Sequence, residues 1–171
     1  MKKLLFLVAA VLCFGQSSLW AADAKKSDNV NGSIFGGFSV AHLGGAAPVT
    51  PLGWQAALAV KGNNTLSFVG DFGGEYKSGT SYYSFLGGAR VGKTSNKGSA
   101  FAHALVGGTT QTSGTSFTSL TLGFGGGIDV KTGDKVSLRL IQVDWLPSKN
   151  SGVWTKEVTR YGFGFVYKLG K

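Results

Sequence analysis

The last twelve residues, RYGFGFVYKLGK from Arg160 to Lys171, place an apolar or aromatic side chain at every second position: Tyr161, Phe163, Phe165, Tyr167 and Leu169. A period of two marks a β-strand whose two faces differ in chemistry. Behind the aromatic row lie Arg160, Gly162, Gly164, Val166 and Lys168, so charge and small size share the other face. The fold turns on which of these faces meets water.

The same alternation recurs upstream. Leu66, Phe68, Gly70 and Phe72 oppose Ser67, Val69, Asp71 and Gly73, and Tyr83, Phe85, Gly87, Ala89 and Val91 oppose Tyr82, Ser84, Leu86, Gly88 and Arg90. Leu120, Leu122, Phe124 and Ile128 stand against a face of Ser119, Thr121, glycines and Asp129. Eight such β-forming stretches can be delimited, at about 33–42, 53–61, 65–76, 81–92, 99–109, 117–130, 135–145 and 157–169. Each is near the length at which a tilted strand crosses a bilayer, and an even count suits a single-chain bacterial barrel. No stretch after residue 24 has the length and apolarity of a spanning helix, which leaves closed β structure as the other way through a membrane.

The links between stretches differ in length on the two sides. Tight turns are expected at Gly62-Asn63-Asn64, Ser95 to Gly98 and Thr132-Gly133-Asp134. The other side carries LGGAAPVTPL, KSGT, TQTSGTS and LPSKNSGVWTK, of which KSGT is barely longer than a turn. Short turns on one rim and longer loops on the other describe an outer-membrane barrel with both termini at the periplasmic side. A water-soluble barrel would put the apolar face inward instead. Most glycines of the sixth and eighth stretches argue against it, because they lie on the charged face, where small side chains suit the narrow interior of eight strands.

The seventh stretch, KVSLRLIQVDWL, breaks phase: Arg139 falls on one face and Gln142 and Asp144 on the other. A bulge near Leu140 and Ile141 would bring all three to one side; otherwise one or two of them face water at the membrane edge. With the charged face inward, Asp71, Arg90, Asp129, Arg139, Gln142, Asp144 and Arg160, with Lys61 and Glu75 nearer the ends, form an expected lumen network of mixed sign. Buried charges are tolerable when paired and hydrogen-bonded. The expected consequence is a polar plug; the alternative is a small pore for ions or small solutes.

Catalytic and cofactor signals are thin. GGARVGKT, Gly87 to Thr94, fits the spacing of a phosphate-binding loop, but that motif needs a strand followed by a helix, and SNKGSAF has no helical pattern. His42 and His103 are the only histidines. His103, Ser84 and Glu75 are conceivable members of a lipid-modifying set, and nothing in their spacing favours that over a structural histidine. No Cys or His cluster suits a metal, and no cofactor or catalytic role is assigned.

Lys2 and Lys3, the apolar run Leu4 to Phe14 and the triplet Ala22-Asp23-Ala24 read as a secretory signal over residues 1–24. Residues 25–32 then form a short periplasmic segment and 33–171 the barrel. Cys13, the single cysteine, leaves with the signal, so disulfides are not expected. Setting aside Lys2, Lys3 and Asp23 from 17 basic and 8 acidic residues leaves a net charge of +8. In an exported chain that excess favours anionic lipid headgroups over nucleic acid. Lys93, Lys97, Lys131, Lys135, Lys168 and Lys171 cluster on the proposed periplasmic rim. Trp54, Tyr76, Tyr83, Trp145, Tyr161 and Tyr167 are candidates for two aromatic girdles.

Arg160, Gly162, Phe165 and Tyr167 resemble the C-terminal recognition signal of bacterial outer-membrane barrels, with the chain running four residues further. GGFSV, FAHALVGG, GFGGGIDV and RYGFGFVYKLG give residues 30–171 a resemblance to the small outer-membrane β-barrel family that includes the OmpA transmembrane domain and OmpX. That resemblance implies an eight-stranded antiparallel up-and-down transmembrane barrel, a monomer in outer-membrane lipid. It also implies delivery by periplasmic chaperones to the barrel assembly machinery.

Overall fold

The computed structural model describes residues 31–45 and 48–170, which contain ten β-strands and no helix. The strands are β1 (Gly32–Leu43), β2 (Leu52–Lys61), β3 (Leu66–Lys77), β4 (Thr80–Thr94), β5 (Gly98–Ser113), β6 (Thr115–Lys131), β7 (Val136–Trp145), β8 (Ser148–Asn150), β9 (Val153–Thr155) and β10 (Val158–Leu169). Eight of them, β1 to β7 and β10, pair in chain order, all antiparallel. The ring closes where β1 meets β10, from Gly32↔Leu169 to Leu43↔Val158. Closure gives each of the eight ring strands a backbone partner on both sides, the condition for crossing a bilayer as a sheet. β8 and β9 form a hairpin that adds to β6 at Leu120 and Thr121, beyond the end of β7. The expected signal, Cys13 and Lys171 lie outside the described residues.

The turn rim is built as its composition demands. Asn63 accepts backbone N–H bonds from Thr65 and Leu66 at 2.9 and 2.8 Å, and the Ser95 N–H donates to the Gly98 carbonyl at 2.7 Å. On the opposite rim two of the four expected loops turn out to be tight hairpins. KSGT closes β3 onto β4 through Ser78 (φ 49°) and Gly79 (φ 79°), the left-handed pair of a two-residue turn. TQTSGTS is not a loop at all: β5 and β6 stay paired to Ser113↔Thr115 and reverse at Gly114 (φ 74°). Its threonines face each other across the strands, with Thr110–Thr118 and Thr112–Ser116 hydroxyl bonds of 2.8 and 2.9 Å. Cross-strand hydroxyl pairs and β-branching stabilise strand where Ser and Gly alone suggest loop.

The outward face is apolar and the inward face carries the charges. Phe38, Phe68 and Phe165 are 67, 62 and 64% exposed, whereas Asp71 and Arg160 are each 1%. A soluble barrel would reverse this. Trp54, Tyr76, Tyr83, Trp145, Tyr161 and Tyr167 all face outward, but they do not divide into two girdles. Five lie toward the rim opposite the short turns, where the Trp54 indole donates to Tyr76 at 3.3 Å and Tyr76 meets Tyr83 edge-on. Of the six, Tyr167 alone lies near the turn rim, where Ile34, Val91 and Val130 supply aliphatic cover.

β7 contains the bulge. Ile128↔Ile141 is followed by Asp129↔Arg139, and on the other side Gly162↔Gln142 is followed by Gly164↔Arg139. Leu140 and Ile141 both point outward, so Arg139, Gln142 and Asp144 are all buried inside. Deleting Leu140 and Ile141 together makes Arg139 and Gln142 neighbours, on opposite faces of a regular strand, and forces one side of this polar set onto the outer face, at about 2–4 kcal/mol for a charged residue at mid-bilayer. The deletion variant is expected to lose the fast-migrating, unboiled band on a gel, while Leu140→Ala keeps it.

Candidate functional site: the lumen network

Inside the barrel, Arg160 is the hub. Its Nη2 donates to Asp71 at 2.7 Å and to Asp144 at 2.8 Å, and its Nη1 to the Ser84 hydroxyl at 3.1 Å. Arg160 and Asp144 are direct cross-strand partners on β10 and β7. Gln55 of β2 donates to the second Asp71 oxygen at 2.7 Å, and His103 of β5 lies 2.9 Å from Asp144. Gln142 passes the chain from Asp144, at 2.8 Å, to Arg139, which grips both oxygens of Asp129 on β6 at 2.7 and 3.1 Å. One connected set of hydrogen bonds therefore joins side chains of β2, β3, β4, β5, β6, β7 and β10. The remaining ring strand, β1, enters through Phe35, whose ring lies 4.2 Å from the Arg139 guanidinium.

Not every expected member joins. Glu75 lies toward the rim opposite the short turns and accepts a bond from Ser39 at 2.9 Å. Arg90 forms no ion pair among the described residues; its guanidinium stacks on Phe101 at 4.2 Å. Lys61 is exposed at the turn-rim mouth and takes no part. Two aromatics turn inward, Phe35 beside the Arg139 guanidinium and Phe101 between those of Arg139 and Arg90. A ring face is a low-cost neighbour for a buried cation. Gln55 and Ser39 were also missed; no charge marks them, and their inward phase was the available signal.

Glycines make room for these long side chains. A methyl group on Gly162 would strike the Gln55 amide oxygen, and one on Gly125 the Asp144 carboxylate. At Gly73 it would lie 2.8 Å from both Arg160 Nη1 and Ser84 Oγ. Phe101 covers Gly127, its cross-strand partner, in the same way. Of the proposed C-terminal signal, Arg160 and Gly162 thus face the network, while Phe165 and Tyr167 face outward.

The two chemical motifs find no matching geometry. Gly87 to Thr94 lie wholly within β4, followed by a turn and β5, so no helix terminus stands behind the phosphate-loop pattern. His103, Ser84 and Glu75 do not meet as a relay: His103 bonds to Asp144, Ser84 to Arg160 and Glu75 to Ser39. All three face the lumen.

No family pattern and no curated protein matches the sequence. Solved structures do match the fold. Neisserial surface protein A superposes with a TM-score of 0.64 at 13% identity, over 82% of this chain and 97% of that one. Ail, the attachment invasion locus protein of Yersinia pestis, gives 0.56 at 17% identity, over 82% and 99%. A de novo designed transmembrane β-barrel gives 0.50 at 13%, over 84% and 98%. The fold is that of the small outer-membrane β-barrels, an eight-stranded ring with a transmembrane arrangement of its faces.

Replacing Arg160 by Met leaves Asp71 and Asp144 without their shared cation. Urea titration of the protein folded into lipid vesicles is expected to register a loss of about 3–5 kcal/mol, the cost of breaking a buried pair from one side. Tyr167→Phe, on the outer face, is expected to change stability by less than about 0.5 kcal/mol.

Proposed function

We propose that the chain is an integral protein of the bacterial outer membrane with a structural or surface-interaction role and a plugged polar lumen. The connected hydrogen-bond set centred on Arg160 supports the plug, because a passing ion would have to part charge-assisted bonds in a low-dielectric interior. In this reading residues 1–24 direct export and the turn rim faces the periplasm. The lysines of that rim then meet anionic headgroups, at about 1 kcal/mol for each near the surface. The long connections and the β8–β9 hairpin, with exposed Val153 and Trp154, face outward from the cell. Phe165 and Tyr167, free on the lipid side of the closing strand, are the groups that chaperones and the assembly machinery would read.

A small pore is the second reading. Cavities of about 370 and 300 Å³ open toward the two ends of the lumen, and one includes Arg90 and Asp129 while the other includes Arg160 and Glu75. A rearrangement of the intervening side chains would join them.

Planar-bilayer recording separates the two. The wild-type protein is expected to give no stepwise conductance, and the Arg160→Ala, Asp144→Ala double variant, if it folds, to give measurable steps. Regular steps from the wild type overturn the plug. For the assembly role, Phe165→Ala with Tyr167→Ala is expected to reduce the amount of folded protein recovered in outer-membrane fractions several-fold while leaving refolding in detergent intact. Equal loss in both settings would assign those aromatics to stability alone.

A further inference from the structure

The turn-rim mouth of the lumen is ringed by one inward-facing residue from each of the eight ring strands, and hydroxyls alternate with ionic groups around it. Ser33, Ser67, Ser99 and Ser137 come from β1, β3, β5 and β7, and all four line the same cavity of about 370 Å³. Between them stand Lys61 of β2, Arg90 of β4, Asp129 of β6 and Lys168 of β10. The strand register sets them side by side: Ser33 pairs with Lys168, Ser67 with both Lys61 and Arg90, and Ser99 with Asp129.

The charges of this ring do not cancel. Asp129, its one carboxylate, is already held through both oxygens by Arg139 from the deeper network. Lys61, Arg90 and Lys168 form no ion pair among the described residues. Arg90 is the most telling of the three: half-buried and stacked on Phe101, its Nε is shut away from solvent without an acceptor. Lys93 and Lys135 add two more cations at the lip, and Asp134 one anion. An unpaired guanidinium, ammonium groups and hydroxyl donors converging on one enclosed space are the donors that a phosphate group engages, since its oxygens accept from several directions at once.

We infer that this mouth is a binding site for a phosphate group, carried either by a small soluble molecule or by a lipid headgroup reaching over the rim. The cavity holds a phosphate with a few attached atoms. Phe101 lines the cavity and stacks in turn on the Arg139 guanidinium of the deeper network, so the site is a cup on one side of that network and does not depend on whether the lumen conducts.

Calorimetric titration of the protein, folded in zwitterionic detergent, with inorganic pyrophosphate tests the site. Saturable binding of one equivalent is expected. The Lys61→Gln, Lys168→Gln double variant is expected to bind at least about tenfold more weakly, as for loss of one charge-assisted contact. Lys149→Gln, at the opposite rim, is expected to leave affinity unchanged. Arg90→Gln should weaken binding as well, but because Arg90 also packs on Phe101 the lysine pair carries the test, with its fold checked by unboiled gel migration. Repeating the titration in maltoside micelles, which carry no phosphate, and in nanodiscs of phosphatidylcholine with phosphatidylglycerol assigns the source. Competition by the anionic discs identifies a headgroup as occupant, and equal affinity in both identifies a soluble phosphate. No binding at millimolar pyrophosphate, an unaltered affinity in the double variant, or an equal loss in Lys149→Gln overturns the inference.

Discussion

Arg160 shares one guanidinium between Asp71 and Asp144 at the centre of a barrel whose eight strands leave an interior just wide enough for side chains to fill. A charge placed there without partners would cost several kcal/mol, and the sheet could not keep its present register around it. One partner comes from β7, the backbone neighbour of β10, and the other from β3, which is separated from β10 by β1 and β2, so the ion set also ties in a strand that β10 does not touch through its backbone. Glycines at 73, 125 and 162 leave the space these side chains occupy. Composition, register and charge placement are thus one constraint: the interior must be polar enough to pair and small enough to pack.

Much of this arrangement was legible in the sequence because strand alternation is strict and charge falls on a single phase. The eight ring strands follow from apolar period and turn residues, and their observed limits differ from the expected ones by a few residues at most on the turn rim. The bulge at Leu140 and Ile141 was one of two readings open in the sequence, the other leaving one or two of Arg139, Gln142 and Asp144 in water at the membrane edge, and the structure takes the bulge. What misled was composition without context. TQTSGTS has the residues of a loop, yet its hydroxyls pair across a continuing hairpin.

The network was less readable than the strands. Charge alone nominated Arg90 and Lys61, but linkage depends on three-dimensional reach, and neither reaches an acid. Gln55 and Ser39 carry no formal charge, so only their phase distinguished them from other polar residues. Phe35 and Phe101 run against the rule that aromatics face lipid, because that rule weighs hydrophobic burial and omits what a buried guanidinium gains from a ring. The motif-like GGARVGKT shows the converse: a spacing can match while the backbone that gives it meaning is absent.

The uneven distribution of outward aromatics has a mechanical consequence. Indole and phenol rings hold their level where hydrocarbon gives way to headgroups, and here they gather near one rim. A bilayer that thickens or thins around this barrel is therefore matched at the opposite collar, where aliphatic side chains and long lysines adjust at small cost. The barrel behaves as a post anchored at one surface and sliding at the other.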